Sequence, residues 1–463
     1  MKRVIILLSI SLSLCYMMLG AQGRPIGNDS STPLHLFTPA YPVPYGVATQ
    51  ASVKATTDKI LAYLNTTTPA RLENRQTHEP VSDYKLIDAN TQLVRGDFRL
   101  ASYEWGVTYS GMLKMAQITG DITYSRYVME RMDFLAAIAP DFKTMVDNGT
   151  SIDTQMNQIL NPHALDDAGA VCAAMIRTAK TLDKTSVYRT LIDNYMEYIL
   201  HKEIRLNDGT YARNRPFRNT VWLDDMYMSL PALAEYTSYT GDISYAEEAA
   251  RQILLFRDKL FVTEKGLFRH GWVQDMNPHP VYHWGRANGW AILAICDVLD
   301  ILAENSSNRS EILSLLQAHL AGIAACQSGS GFWHQLLDRN DSYLETSCTA
   351  IFTYCLAHAV CEGWVSAEIY GPIAMLGWQA ISTKITPEGR VEGTCVGTGM
   401  GFDPAFYYHR PISASAAHGY GPTLLAGAEI IRLLNQQFPK LNDSAVQFYQ
   451  TQQPANAPIF SEE

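Results

Sequence analysis

The sequence predicts an all-α chain closed on itself as an (α/α)6 barrel, a toroid of six helical hairpins. Three observations carry that expectation. A short motif repeats: Thr119-Gly120-Asp121-Ile122-Thr123-Tyr124 returns as Thr240-Gly241-Asp242-Ile243-Ser244-Tyr245, with a weaker copy, Leu182-Asp183-Lys184-Thr185-Ser186-Val187-Tyr188, between them. The period suits a pair of helices with their loops, since Tyr124, Tyr188 and Tyr245 stand 64 and 57 residues apart. Helical patterning at both ends of the chain supplies a last pair that can close the ring. An open solenoid or a β-rich tail is the competing architecture.

Taken in order, the chain begins with a basic start at Lys2 and Arg3. An apolar run from Val4 to Leu8 follows, continued by Leu12, Leu14 and Leu19, and then the small pair Gly20-Ala21. Residues 1–21 read as a secretory signal peptide cut near Ala21-Gln22, which places the mature chain in the periplasm or outside the cell. Leu14 before Cys15 is not the small residue that a lipoprotein signal wants. Residues 22–50, rich in Pro, Gly, Ser and Thr, read as an extended lead-in. A helical domain is expected over 51–440 and a C-terminal tail over 441–463. In each repeat, Gly ends one helix in the left-handed conformation and the following Asp caps the next. Breaks near Asn305-Ser306-Ser307 and Glu362-Gly363-Trp364 give five hairpins; helices over 51–64 and 419–434 complete the sixth.

Bulk properties bound the function. At 463 residues with 47% hydrophobic and 18% charged content, the chain can bury a large core and is not disordered. The net charge of −10, two units more negative without Lys2 and Arg3, argues against nucleic acid as a partner. After the leader, no apolar run is long enough to span a membrane. Seven cysteines follow the leader, Cys172, Cys296, Cys326, Cys348, Cys355, Cys361 and Cys395. With no C-x-x-C pair they read as buried thiols, one bridge being left open. There is no metal-binding or phosphate-loop motif, so no cofactor is expected. Gly397-Thr398-Gly399-Met400-Gly401 lacks the strand and helix of a dinucleotide site and is expected to shape a rim. Oligomeric state has no sequence signal.

Residues able to do chemistry fall in one phase of the repeat. Glu104 precedes Gly120 by 16 residues, Asp166 precedes Asp183 by 17 and Asp224 precedes Gly241 by 17. Trp284-Gly285-Arg286, Glu345-Thr346 and His418-Gly419-Tyr420 hold comparable places. All six clusters therefore start the first helix of a pair and meet at one mouth, where aligned helix N-termini favour an anion. Asp224-Asp225 stands out. Trp222 and Tyr227 supply apolar walls that disfavour a charged carboxyl, whereas Arg213, Arg215 and Arg218 pull the other way and attract an anionic ligand. Any single cluster is explained as well by capping or core packing; six in register are not.

Several segments together resemble glycoside hydrolase family 105, the unsaturated rhamnogalacturonyl and related glycuronyl hydrolases, close to family 88. They are Trp222-Leu223-Asp224-Asp225-Met226-Tyr227-Met228, Leu267-Phe268-Arg269-His270-Gly271-Trp272, Trp284-Gly285-Arg286-Ala287-Asn288-Gly289-Trp290, Gly331-Phe332-Trp333-His334, Leu344-Glu345-Thr346-Ser347 and Gly421-Pro422-Thr423-Leu424-Leu425-Ala426. The resemblance runs from about residue 50 to 435 and implies an (α/α)6 barrel acting on an acidic oligosaccharide, from whose non-reducing end it removes a 4,5-unsaturated uronic acid. It puts the principal catalytic Asp on Asp224 and the second on Asp167, with Asp166 as the alternative. It also puts His270, Trp284, Arg286, Trp290 and Met228 in the sugar pocket. Arg213-Asn214 stand where relatives carry His-Lys, so Arg213 is expected to bear on subsite preference.

The implied chemistry is hydration. The C4=C5 bond is an enol ether, so one neutral carboxyl can protonate C4 and, as carboxylate, accept a proton from water attacking C5. Asp224 would be that group, Asp167 would orient it, Trp284 and Trp290 would stack on the sugar, and Arg286 would fork onto the uronate. Plainer readings stand beside these. His270 serves equally as a structural histidine, Met228 as core, the tryptophans as helix packing, Asp225 as a cap or solvated neighbour, Asp338 and Glu345 as structural acids, and His334 and His418 as rim. The rivals in function are a conventional inverting glycosidase using Asp167 and Asp224, and a non-catalytic sugar-binding toroid.

Overall fold

The computed structural model describes residues 48–441 and 446–449. The expected leader, most of the lead-in and most of the tail lie outside the described residues. Twelve helices form the body: α1 Gln50–Thr67, α2 Tyr103–Thr119, α3 Ile122–Asp147, α4 Leu165–Thr181, α5 Thr185–Glu197, α6 Leu230–Thr240, α7 Ser244–Leu260, α8 Gly285–Leu299, α9 Arg309–Ala325, α10 Thr346–Cys361, α11 Ala367–Ser382 and α12 Tyr420–Gln436. Even-numbered helices make an inner ring in the order α2, α4, α6, α8, α10, α12, and α12 packs back on α2. Odd-numbered helices stand outside them. The chain ends supply the sixth pair, because α1 packs on α12. The toroid is therefore closed, as expected.

The repeated motif works as its residues imply. Gly120 and Gly241 adopt φ of 70° and 81° and end α2 and α6, while the Asp121 and Asp242 side chains accept from Thr123 N and Ser244 N at 3.0 and 2.9 Å. In the weaker copy the left-handed residue is Asp183 itself, at φ 53°, which explains why no glycine marks that turn. At the chain start Thr49 and Ser52 form a reciprocal capping box for α1.

Small residues let the inner helices approach backbone to backbone. A Cβ on Gly169 of α4 would lie 1.7 Å from the Met228 carbonyl oxygen, and one on Gly421 of α12 would lie 2.6 Å from Thr108 N of α2. The inner helices are enclosed by their neighbours. Every residue of α8 is buried.

The two ends of the ring differ. Where inner helices pass to outer ones the turns are short. At the other end, where inner helices begin, long loops carry paired short strands: Thr220–Trp222 with Gly271–Val273, and Trp333–His334 with Leu344–Glu345. One local expectation changes here. Asp224 does not begin a continuous inner α-helix but sits on a 3-10 turn, Leu223–Met226, separated from α6 by Ser229 at φ −140°. Pro231 is the reason, since it has no N–H to donate to the Tyr227 carbonyl. Among the described residues no helix is long and apolar enough to cross a membrane.

Candidate active site

The strand Thr220–Trp222 delivers Asp224 to the loop end of the ring, and its pairing with Gly271–Val273 delivers His270 beside it. Leu223 N donates to the His270 carbonyl at 2.9 Å, which locks the two segments. Asp224 is 9% exposed, and its Oδ2 lies 2.9 Å from His270 Nε2. The other ring nitrogen, Nδ1, is 2.7 Å from the Tyr407 hydroxyl. Trp284 packs on the imidazole at 4.7 Å between ring centroids, and the Arg286 guanidinium lies 4.6 Å from the Trp284 ring. Asp224, His270, Trp284 and Arg286 are thus brought together.

Asp225, adjacent in sequence, faces the opposite way. It is fully buried, not a solvated cap, and takes hydrogen bonds from Arg213 Nε at 3.0 and 2.9 Å. Burial pushes its carboxyl up to about 6, with the Arg213 guanidinium opposing. Arg213 also grips both oxygens of Asp166, at 2.9 and 2.8 Å, and Arg215 adds a contact of 3.0 Å to Asp166. Burial raises the Asp166 carboxyl, but the two guanidinium groups outweigh it and hold it below the usual carboxylate range. Every nitrogen of Arg213 is committed to Asp225 or Asp166, so its expected place as a substrate contact is corrected to that of a clamp.

Asp166 and Asp167, the two candidates for a second acid, take different partners: Asp166 is held by the Arg213 clamp, whereas the Asp167 oxygens accept from His163 N at 3.0 Å and from Gln158 Nε2. A cavity of about 700 Å3 beside this clamp has Asp166, Asp167, Lys202, Glu203, Arg213 and Arg215 in its lining. Burial, helped by the charge of Asp225, raises Glu203 there to about 7.

Two further expectations fall to packing. Trp290 is 1% exposed and stacks on Tyr227 at 5.3 Å, inside the helix wall; Met228 is equally buried, its backbone pressed against Gly169. Arg286 keeps its place but not its free fork. Nη1 donates to the Cys395 carbonyl at 2.7 Å and Nη2 to the Val396 carbonyl at 2.8 Å, so the side chain ties down the Gly397–Gly401 loop. That loop does rim the mouth: a Cβ on Gly399 would stand 3.4 Å from Trp222. Glu345 caps α10 through Cys348 N at 2.7 Å and accepts from Cys395 N at 2.8 Å, a structural part as expected.

Sequence reading missed two tyrosines. Tyr103 donates to or accepts from His418 Nε2 at 2.6 Å, and Glu104 lies 3.6 Å from the same nitrogen. Burial, with Arg286 and Arg99 adding to it, holds His418 well below its usual value and therefore neutral. Tyr103 could have been found, since it precedes Glu104 in the first cluster. Tyr407 lies on a five-residue helix, Pro404–Tyr408, 137 residues beyond His270, and no motif marks it. Four buried polar atoms around the mouth have no hydrogen-bond partner among the described residues: Glu104 Oε2, Trp284 Nε1, Arg286 Nε and His418 Nδ1. Buried polar atoms are normally satisfied, so such a group suits a hydroxyl-rich ligand. A cavity of about 680 Å3 at the turn end is different: Arg177 there spends its donors on Glu235, Ser110 and Asp297.

A closed (α/α)6 ring with one mouth gathering an acid, an imidazole, indoles and guanidinium groups defines the class, that of the toroidal carbohydrate-active proteins. The particular family follows from comparison. Residues 69–434 match the model of Glycosyl Hydrolase Family 88, and the chain belongs to that family. It is 31% identical over 216 residues to an unsaturated 3S-rhamnoglycuronyl hydrolase of Alteromonas sp. (strain LOR), covering 45% of this chain and 51% of that one. It is 26% identical over 289 residues to the unsaturated rhamnogalacturonyl hydrolase YesR of Bacillus subtilis (strain 168), 61% of this chain and 81% of that protein. The chain thus spans about half the length of the first relative and about four fifths of the second. A solved structure of a possible member of family GH105 from Salmonella enterica superposes with a TM-score of 0.64 at 26% identity, covering 88% of this chain and 99% of that one.

Proposed function

We propose that this protein is a glycoside hydrolase that removes a 4,5-unsaturated uronic acid from the non-reducing end of lyase-derived oligosaccharides by hydrating the C4=C5 bond. Asp224 in its acid form gives its proton to C4; water adds at C5 and returns a proton to the carboxylate. The resulting hemiketal opens, the neighbouring sugar leaves, and an open-chain keto acid remains. The observation that supports this reading most is that Asp224, 9% exposed, stands in the mouth with its Oδ2 against His270, while Asp166 is clamped by Arg213 and Arg215. A conventional inverting glycosidase needs two carboxyl groups in opposite protonation states across the bond. Hydration of an enol ether needs one. The names of the relatives support the same substrate class, and the leader read in residues 1–21 supports work outside the cytoplasm.

The test uses the ultraviolet absorbance of the unsaturated uronate. Wild-type protein should abolish it and Asp224→Asn should leave it. In heavy water, sampled before hydrogens next to the product's ketone exchange, hydration places one deuterium at C4, whereas ordinary glycosidic cleavage first releases the unsaturated uronate with C4 unlabelled. Turnover without C4 label, or wild-type turnover by Asp224→Asn, overturns the proposal.

A further inference from the structure

Asp224 does not stand alone: a line of hydrogen bonds runs from it into the rim loop. Gly401 N donates to the Tyr407 hydroxyl at 2.9 Å, the hydroxyl meets His270 Nδ1 at 2.7 Å, and His270 Nε2 meets Asp224 Oδ2 at 2.9 Å. Tyr407 is fully buried, and burial pushes its phenol above the usual range, so it stays neutral with a single proton to give. Its oxygen already accepts from Gly401, and His270 is its other partner among the described residues. The proton therefore goes to Nδ1 of His270. An imidazole that accepts at Nδ1 carries its own hydrogen at Nε2, and Nε2 faces Asp224.

From this geometry we infer that Tyr407 is a positioning residue that fixes the tautomer of His270 and thereby which oxygen of Asp224 carries the catalytic proton. The inference rests on Asp224 being the acid of the proposed hydration. With Nε2–H donating to Oδ2, that oxygen is occupied as an acceptor. The proton to be delivered must then sit on Oδ1, and it does so without rotation of the carboxyl. Were the tautomer reversed, Asp224 would hold its proton on Oδ2 and donate it to Nε2, into the protein and away from any substrate. The chain of bonds thus points the acid outward.

The loop is shaped for this task. A Cβ on Gly401 would come 2.3 Å from Phe406 Cδ1 and 2.9 Å from Tyr407 Cε2, so only glycine lets the backbone N–H reach the hydroxyl. Charged and titratable groups that act on the line are Asp224 at one end, Tyr282 and Asp403 beside Tyr407, and Arg286 across Trp284. The rim loop, itself held by Arg286, is in this way connected to the acid through two side chains.

The experiment is nitrogen NMR of histidine-labelled protein, with His270 assigned by loss of its signals in His270→Gln. In the wild type Nδ1 should resonate as an unprotonated ring nitrogen and Nε2 as a protonated one. Tyr407→Phe should lose that pattern and turn over the unsaturated substrate with kcat lower on the order of tenfold, the effect of one lost hydrogen bond, and KM nearly unchanged. A Tyr407→Phe protein that keeps the wild-type tautomer, or one that keeps the wild-type kcat, overturns the inference. Should that variant fail to fold, replacing Tyr407 by 3-fluorotyrosine keeps ring and hydroxyl but changes the acidity; an unmoved Nδ1 resonance then overturns it. The tautomer is read without substrate, so a wrong assignment of Asp224 shows separately, as wild-type turnover by Asp224→Asn.

Discussion

Asp166 and Asp167 are neighbours in sequence and take different partners at the start of α4, which makes them a sharp test of the site. Asp166 completes the Arg213 clamp that also grips Asp225, the residue next to Asp224. Asp166→Asn removes its charge and leaves two guanidinium groups short of a partner. A charge-assisted hydrogen bond contributes about 1.5–3 kcal/mol, so kcat/KM should fall roughly ten- to hundredfold. Asp167→Asn, by contrast, loosens the start of α4 at His163 and should lower the melting temperature while leaving kcat/KM within about threefold. Absorbance assays and thermal melts of the two variants decide between them, and the reverse order would make Asp167 the second acid. At this scale the sequence was legible where residues recur in phase: Trp284 and Arg286 at the start of α8, and Asp224 in the same phase although on a 3-10 turn. It was not legible where a loop folds back from far along the chain, as at Tyr407.

Helices of the inner ring are held by more than apolar contact. His358 of α10 is buried between Asp300, just past α8, and Glu429 of α12, with Nε2 at 2.9 Å from one carboxylate and Nδ1 at 3.0 Å from the other. Burial alone would lower its pKa, but the two carboxylates outweigh burial and hold it at about 10. Burial likewise raises Glu429, and His358, Lys114 and Arg432 reverse this, to about 2. For His358 the folded value lies above the unfolded one of about 6.5, so its stabilisation is full below that pH and is lost as pH rises toward about 10. For Glu429 the stabilisation is present above the unfolded value and lost as pH falls toward about 2. Urea midpoints should therefore decline between about pH 6.5 and 10. His358→Gln should cost about 3–5 kcal/mol at neutral pH, because a partner of a buried pair is lost, and should flatten that decline. A decline of equal slope in the variant would assign it elsewhere. The hairpins themselves were plain in the sequence because Gly and Asp recur at fixed places; this staple was not, since His358 sits in a continuous apolar run and its partners come from two other helices.

Considered whole, the molecule sets an acidic body against the acidic substrate proposed for it. The net charge is −10, yet the charged side chains at the mouth largely pair off: Asp225 and Asp166 with Arg213, Asp166 again with Arg215, and Glu345 with Arg286 at 3.9 Å. Beside these pairs stand the N-termini of the helix backbones. Inner helices start at this mouth, and a helix N-terminus carries about half a positive charge that acts only within its first turn. Range therefore decides which field a uronate feels. At about 0.01 M salt the screening length is roughly 30 Å, comparable with the protein, and the whole negative body repels the substrate. At about 0.1 M it is roughly 10 Å, so the distant charges drop out while the helix ends still act. Above that concentration the local attraction is screened too. Thus kcat/KM for an unsaturated disaccharide should rise from low salt to about 0.1 M and fall beyond it, while kcat at saturation stays level. A rise that continues to about 1 M would mean that the mouth offers an anion no attraction of its own, and the alignment of the inner helices would then serve the fold without serving the substrate.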